Sequence, residues 1–110
     1  MRERFRPLLV MRAWPAPEHF EAFARWAREV HVRDTGAVPG VRRVEVGLAP
    51  EGVVLVVYVF EDADSVPVAL QSPEAAYARG TLQQWLGKVY EVRFEMLTAV
   101  APEQAFASIN

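Results

Sequence analysis

Cysteine is absent from this chain, lysine and asparagine occur once each, and neither sign of charge dominates, with 12 basic against 14 acidic side chains over 110 residues. Without cysteine there is no disulfide framework, no thiolate nucleophile and no Cys-ligated metal site. A net charge of −2 gives no general electrostatic reason to bind nucleic acid or anionic lipid. No apolar run approaches the ~20 residues that a membrane helix needs. The opening MRERFRPLLVMRAW is broken by Arg12 and followed by no small-residue cleavage site, so it is not expected to act as a signal peptide. A single soluble, cytoplasmic domain over residues 1–110 is the expectation, with its core in 7–99 and a tail over 100–110. Gly-rich phosphate loops, zinc-ligand spacings and serine-nucleophile motifs are missing as well.

What is present is pattern. PLLVMRAW (7–14), bounded by Pro7 and Pro15, reads as a strand. Residues 17–31 read as a helix, with Pro17 in its first turn and Phe20, Phe23, Ala24 and Ala27 on one face. Gly36 and Pro39-Gly40 mark loop and turn. VRRVEVGL (41–48) alternates, placing Val44, Val46 and Leu48 opposite Arg43 and Glu45. VVLVVYVF (53–60) is apolar at every position, as in a strand buried on both faces. A short helical piece is expected within 62–71. Ser72-Pro73-Glu74 starts a helix running to about Leu86 and stopped by Gly87. VYEVRFEML (89–97) sets Tyr90, Val92, Phe94 and Met96 against Glu91, Arg93 and Glu95. Ala101 to Asn110 shows little periodicity.

The order βαββαβ predicts an α+β, ferredoxin-like fold: a four-stranded antiparallel sheet in order 4-1-3-2 with both helices on one face. The helices leave the second face of an apolar central strand uncovered. A second copy packed sheet to sheet would cover it, with Arg43, Glu45, Glu91, Arg93 and Glu95 as rim. The C-terminal tail is the alternative cover.

The spacing W-x4-H-V-x6-P-G-V, carried by Trp26, His31, Val32, Pro39, Gly40 and Val41, resembles the EthD-like group of the dimeric α+β barrel superfamily. Ala27 departs from the tyrosine frequent after that tryptophan. The resemblance implies a homodimer that closes two sheets into an α+β barrel. It also implies a small-molecule pocket between helix and sheet. That superfamily spans cofactor-free oxygenases, isomerases, cyclases, haem-degrading enzymes and proteins without known reactions, so it does not choose a chemistry.

His31 is the candidate catalytic residue. At ~100° per residue it falls about 20° from Phe20 on the helix wheel, facing the sheet at the helix's C-terminal end. One reading is a core histidine bonded to backbone, its charged form favoured by the helix dipole. The other is an acid/base lining a cavity, for which an imidazole suits neutral pH. Asp34 could orient His31. Trp26 is either core packing or a ligand platform. Tyr58 and Tyr90 are candidate ligand-binding residues whose faces strand parity does not fix. His19 points elsewhere on the wheel and cannot share a metal with His31. Glu61, Asp62 and Asp64 read as caps and loop, and Arg2, Arg4 and Arg6 as a solvated arm. No metal and no cofactor are expected, although His31 could ligate haem.

Two functions follow. One is an enzyme acting on a partly apolar or aromatic small molecule with His31 as acid/base, as cofactor-free oxygenase, isomerase or cyclase. The other is a non-catalytic ligand-binding or stress-response dimer. RNA recognition, which shares the βαββαβ order, needs a K/R-G-F/Y-x-F pattern on strand 3 with aromatics on strand 1. GVVLVVYVF and PLLVMRAW do not form that stacking platform and the charge balance is wrong, so no nucleic-acid partner is expected, nor a membrane partner.

Overall fold

The strand patterns form β1 (Arg6–Pro15), β2 (Val41–Ala49), β3 (Val53–Phe60) and β4 (Val89–Val100). The structure, a computed structural model, describes residues 6–100, with side chains through residue 98. The tail from Ala101 to Asn110 and the basic positions Arg2 and Arg4 lie outside the described residues. All pairings are antiparallel and the strand order is β2-β3-β1-β4, the expected order read from its other edge. Arg6, expected in a solvated arm, instead opens β1, and its Nη1 donates to the Glu61 carbonyl at 2.8 Å.

Register sorts the side chains. Met11 lies opposite Val56 in β3 and Phe94 in β4, Leu9 opposite Tyr58, and Ala13 opposite Val54. That face carries the core: Met11, Val54, Val56 and Phe60 are essentially inaccessible and pack with Phe23, Ala24 and Ala27 from the first helical run. Full burial of each large apolar side chain contributes about 1.5–3 kcal/mol. Leu48 shares this side, opposite Val54, yet is 61% exposed, because it ends an edge strand where no helix covers it.

The opposite face presents Leu8 and Val10 of β1 beside Val57 and Val59 of β3. None of these joins the helix-packed core cluster. Arg43 and Glu45 border the row on one side, Glu91, Arg93 and Glu95 on the other. Arg12 breaks it and is paired with Glu95 at 3.2 Å.

The first helical run is longer than expected. After a 3-10 turn (Pro17–His19) come α1 (Phe20–Trp26), a π turn (Ala27–His31) and α2 (Val32–Gly36). His31 therefore stands within the run, not at its end. The π turn hands Val32 N–H back to the Ala27 carbonyl, and the Thr35 hydroxyl donates to the His31 carbonyl at 2.6 Å. Gly36 is the last helical residue, tolerated there because a glycine costs a helix only ~1 kcal/mol. The turn into β2 follows at Pro39-Gly40. Gly40 has φ +88°, and a Cβ there would lie 2.9 Å from the Ser65 Cβ, so only glycine lets the start of β2 approach α3 (Ser65–Leu70).

Helix α4 (Pro73–Leu82) begins where the capping pattern places it: the Ser72 hydroxyl accepts the Ala75 N–H at 3.1 Å. A 3-10 turn, Gln83–Trp85, follows, and Gly87 turns the chain at φ +85°. The two helical runs meet through their tryptophans, with the Trp26 and Trp85 ring centroids 5.7 Å apart.

Candidate functional site

Helix α4 turns Ala75 and Ala78 toward the sheet, and both are buried. Two methyl groups fill little space over a sheet carrying Leu9, Tyr58 and Phe94. A cavity of about 310 Å³ remains between them, lined also by Thr35 and Val38. Its walls are almost wholly apolar. The polar exceptions are Tyr58, Thr35 and Arg79. The volume sits at the low end of the ~300–1,000 Å³ typical of small-molecule sites.

Tyr58 is placed by β3, a central strand, on the helix-facing side. Its hydroxyl lies 2.6 Å from His31 Nε2 and 3.8 Å from the Met11 sulfur. His31 stands behind it and is 3% exposed, so Tyr58, not His31, forms the cavity wall. The imidazole also packs on the Trp26 ring, 5.0 Å between centroids. Burial pushes the His31 pKa down to about 4 against an opposing pull from the Asp34 carboxylate. The helix dipole was expected to favour the charged imidazole. Desolvation in this dry position outweighs it, and the helix end lies further on at Gly36. Burial likewise raises the Tyr58 phenol above its ordinary range. At neutral pH the pair is a neutral imidazole bonded to a neutral phenol.

The other candidates separate. Asp34 bonds Arg33 Nε at 3.3 Å and borders a shallow surface depression with Glu74 and Tyr77. It acts on His31 through charge rather than a hydrogen bond, since His31 Nδ1 and Asp34 Oδ2 are both buried without a partner among the described residues. Trp26 is 9% exposed and packs against Phe23, Trp85 and His31, away from the cavity wall. Tyr90 does not reach the cavity: it begins an edge strand and is 76% exposed. No group of three or more His, Asp or Glu residues is placed to hold a metal ion among the described residues. Nor is any helix among them long and apolar enough to cross a membrane.

Two polar cavity residues are absent from the sequence-based candidates, as is the apolar lining. Thr35 is hidden by the π turn, which shifts the phase of everything after it. Arg79 was visible: it lies four residues from Ala75 and one from Ala78, an arginine on the small apolar stripe of α4.

No family model and no curated protein matches the chain. Solved structures do. An EthD family protein from Bacillus halodurans superposes with a TM-score of 0.65 at 18% identity, covering 83% of this chain and 96% of that one. A Deinococcus radiodurans protein provisionally named an antibiotic biosynthesis monooxygenase gives 0.66 at 14%, covering 86% and 92%. A Pseudomonas aeruginosa protein gives 0.68 at 14%, covering 92% and all of that chain. The chain thus has the ferredoxin-like α+β fold shared by EthD-type and monooxygenase-type proteins, as the pattern in residues 26–41 implies. At these identities the likeness is one of fold.

Proposed function

We propose that the chain is a small-molecule enzyme that binds a compact, mostly apolar ligand in the cavity and polarises an oxygen of it with the Tyr58 hydroxyl. The observation that carries this reading is the neutral His31–Tyr58 pair at the wall of an otherwise apolar cavity. If Nε2 of His31 carries the proton, it donates to the Tyr58 oxygen, and no buried imidazole N–H is left without an acceptor. The phenolic proton then has only the Met11 sulfur, a weak acceptor. A ligand carbonyl or phenolic oxygen offers a better one. A donor already polarised by the imidazole behind it is a strengthened donor. In the apolar cavity it stabilises the negative charge that builds on a carbonyl oxygen as hydroxide or a buffer base from solvent takes the α-proton and the enolate forms, since no side chain lining the cavity among the described residues is a carboxylate or imidazole base. Enolate formation is a step that isomerisation, cyclisation and cofactor-free oxygenation can share. An imidazole that stays neutral down to about pH 4 is a poor base, so His31 acts through Tyr58, as a positioning residue.

The test uses 2-tetralone, an enolisable bicyclic ketone, in deuterated buffer. The protein is expected to bind it and to accelerate exchange of its α-protons, both read by NMR. Binding without acceleration supports the second reading, a non-catalytic ligand-binding protein, for which the apolar lining alone suffices. Neither binding nor acceleration sinks both.

The same reading pairs two copies through the sheet face opposite the helices, where Val10 and Val57 lie side by side between charged borders. Val10 and Val59 are already buried in the single chain and Leu8 and Val57 half-buried, so a second copy would complete the cover of a partly exposed apolar row. Light scattering is expected to give twice the 12.4 kDa chain mass. Val57→Glu, which places a charge in the middle of that row, is expected to give monomer or insoluble protein. A soluble, unchanged Val57→Glu dimer, or a wild-type monomer at micromolar concentration, counts against this interface.

A further inference from the structure

We infer that the cavity selects ligands carrying an acidic group, a carboxylate or a comparable anion, and that Arg79 is the residue that selects them. The inference rests on the small-molecule reading of the cavity and adds the substrate class. Arg79 is the only charged residue lining the cavity among the described residues. Arg6, Arg12, Arg28, Arg33, Arg42, Arg43 and Arg93 each sit within ion-pair distance of a carboxylate; Arg25 and Arg79 do not among the described residues, and of these two only Arg79 lines the cavity. Its guanidinium is nevertheless anchored: Nη1 donates to the Leu70 carbonyl at 3.1 Å, across the junction of α3 and α4. A guanidinium has five N–H donors, so most remain to be directed at a ligand. Planar forked donors match a carboxylate in two-point contact. Arg79 is itself solvent-exposed while Tyr58 is buried, so the cation sits toward the mouth and the phenol toward the floor. A ligand spanning them has an apolar body, an acidic group outward and an oxygen inward.

The experiment compares naphthalene-2-carboxylate with its uncharged carboxamide, titrated by NMR against wild type, Arg79→Gln and Arg79→Lys. Circular dichroism melts check that the variants, altered only at an exposed position, remain folded. The carboxylate is expected to bind wild type about tenfold more tightly than the amide, the scale of one charge-assisted contact. Arg79→Gln is expected to remove that preference while leaving amide binding unchanged, and Arg79→Lys to restore part of it. Equal binding of both probes to wild type, or a preference that survives Arg79→Gln, overturns the selection and leaves the cavity standing. If neither probe binds wild type, the cavity reading falls and the inference falls with it.

Discussion

Between pH 6.5 and pH 4 the fold is expected to lose about 3 kcal/mol of stability through His31 alone. The folded pKa, about 4, is depressed below the 6.5 of the unfolded chain. As pH falls the unfolded state therefore takes up the proton first, and protonation pulls the equilibrium toward it. The contribution is fully present above 6.5, declines through the window and levels off below about 4. A domain of this size has only ~5–15 kcal/mol in all, so one imidazole governs a sizeable share of its acid stability. Carboxylates titrate over the lower part of the same range, and the comparison that isolates His31 is His31→Gln, whose side chain can still donate toward Tyr58 but does not titrate. Urea unfolding at pH 7, 5.5 and 4 should show wild type losing about 3 kcal/mol more than His31→Gln across the series. The readout is the slope, which is insensitive to any loss of packing on Trp26 that the substitution brings at every pH. Parallel profiles would mean that water reaches the imidazole and that the pair is not dry.

The fold was legible because its strands declare themselves one at a time. Val53 to Phe60 has no charged position and only the Tyr58 hydroxyl as a polar group, a pattern that fits a central strand, and Ser72-Pro73 is a helix start whatever surrounds it. The site was legible in part. His31 on the Phe20 face predicted burial, and burial is what the structure shows. The straight wheel could not show the π turn at Ala27–His31, since it assumes 3.6 residues per turn throughout. The helical run continues beyond that turn to Gly36, and Thr35 in that extension lines the cavity. Of the two readings of His31, the one with a charged imidazole fails for a related reason: the dipole follows from position in the helix, whereas desolvation depends on what lies across from it. The cavity itself is negative space. Ala75 and Ala78 read as good helix formers, and nothing local says that no neighbour fills the gap above them. Tyr90 was separable from Tyr58 without coordinates, because the expected order 4-1-3-2 already put strand 4 at an edge and strand 3 inside.

Tyr58→Phe is expected to lower the rate of α-proton exchange in 2-tetralone by about 10²–10³-fold, the usual cost of deleting one preorganised donor to a developing oxyanion. The substitution keeps the ring, and with it the cavity wall and the packing beside Met11 and Val44, so binding of the apolar body should persist. It also strands His31 Nε2 in a position that is 3% exposed, which is expected to cost about 1–3 kcal/mol of stability. His31→Ala should lower the same exchange rate while leaving the phenol in place, because an unsupported hydroxyl is less polarised and free to turn toward Met11. The decisive variant carries both changes. If His31 works only through Tyr58, removing it from the Tyr58→Phe protein should change the exchange rate little further, well short of the product of the two single effects. Multiplicative losses would mean that His31 meets the ligand by its own route, as an acid or base entering the cavity, and that the buried pose seen here opens when ligand binds. Unchanged exchange in both single variants would remove the pair from the chemistry and leave an apolar cavity whose ligand is held by its walls and by Arg79.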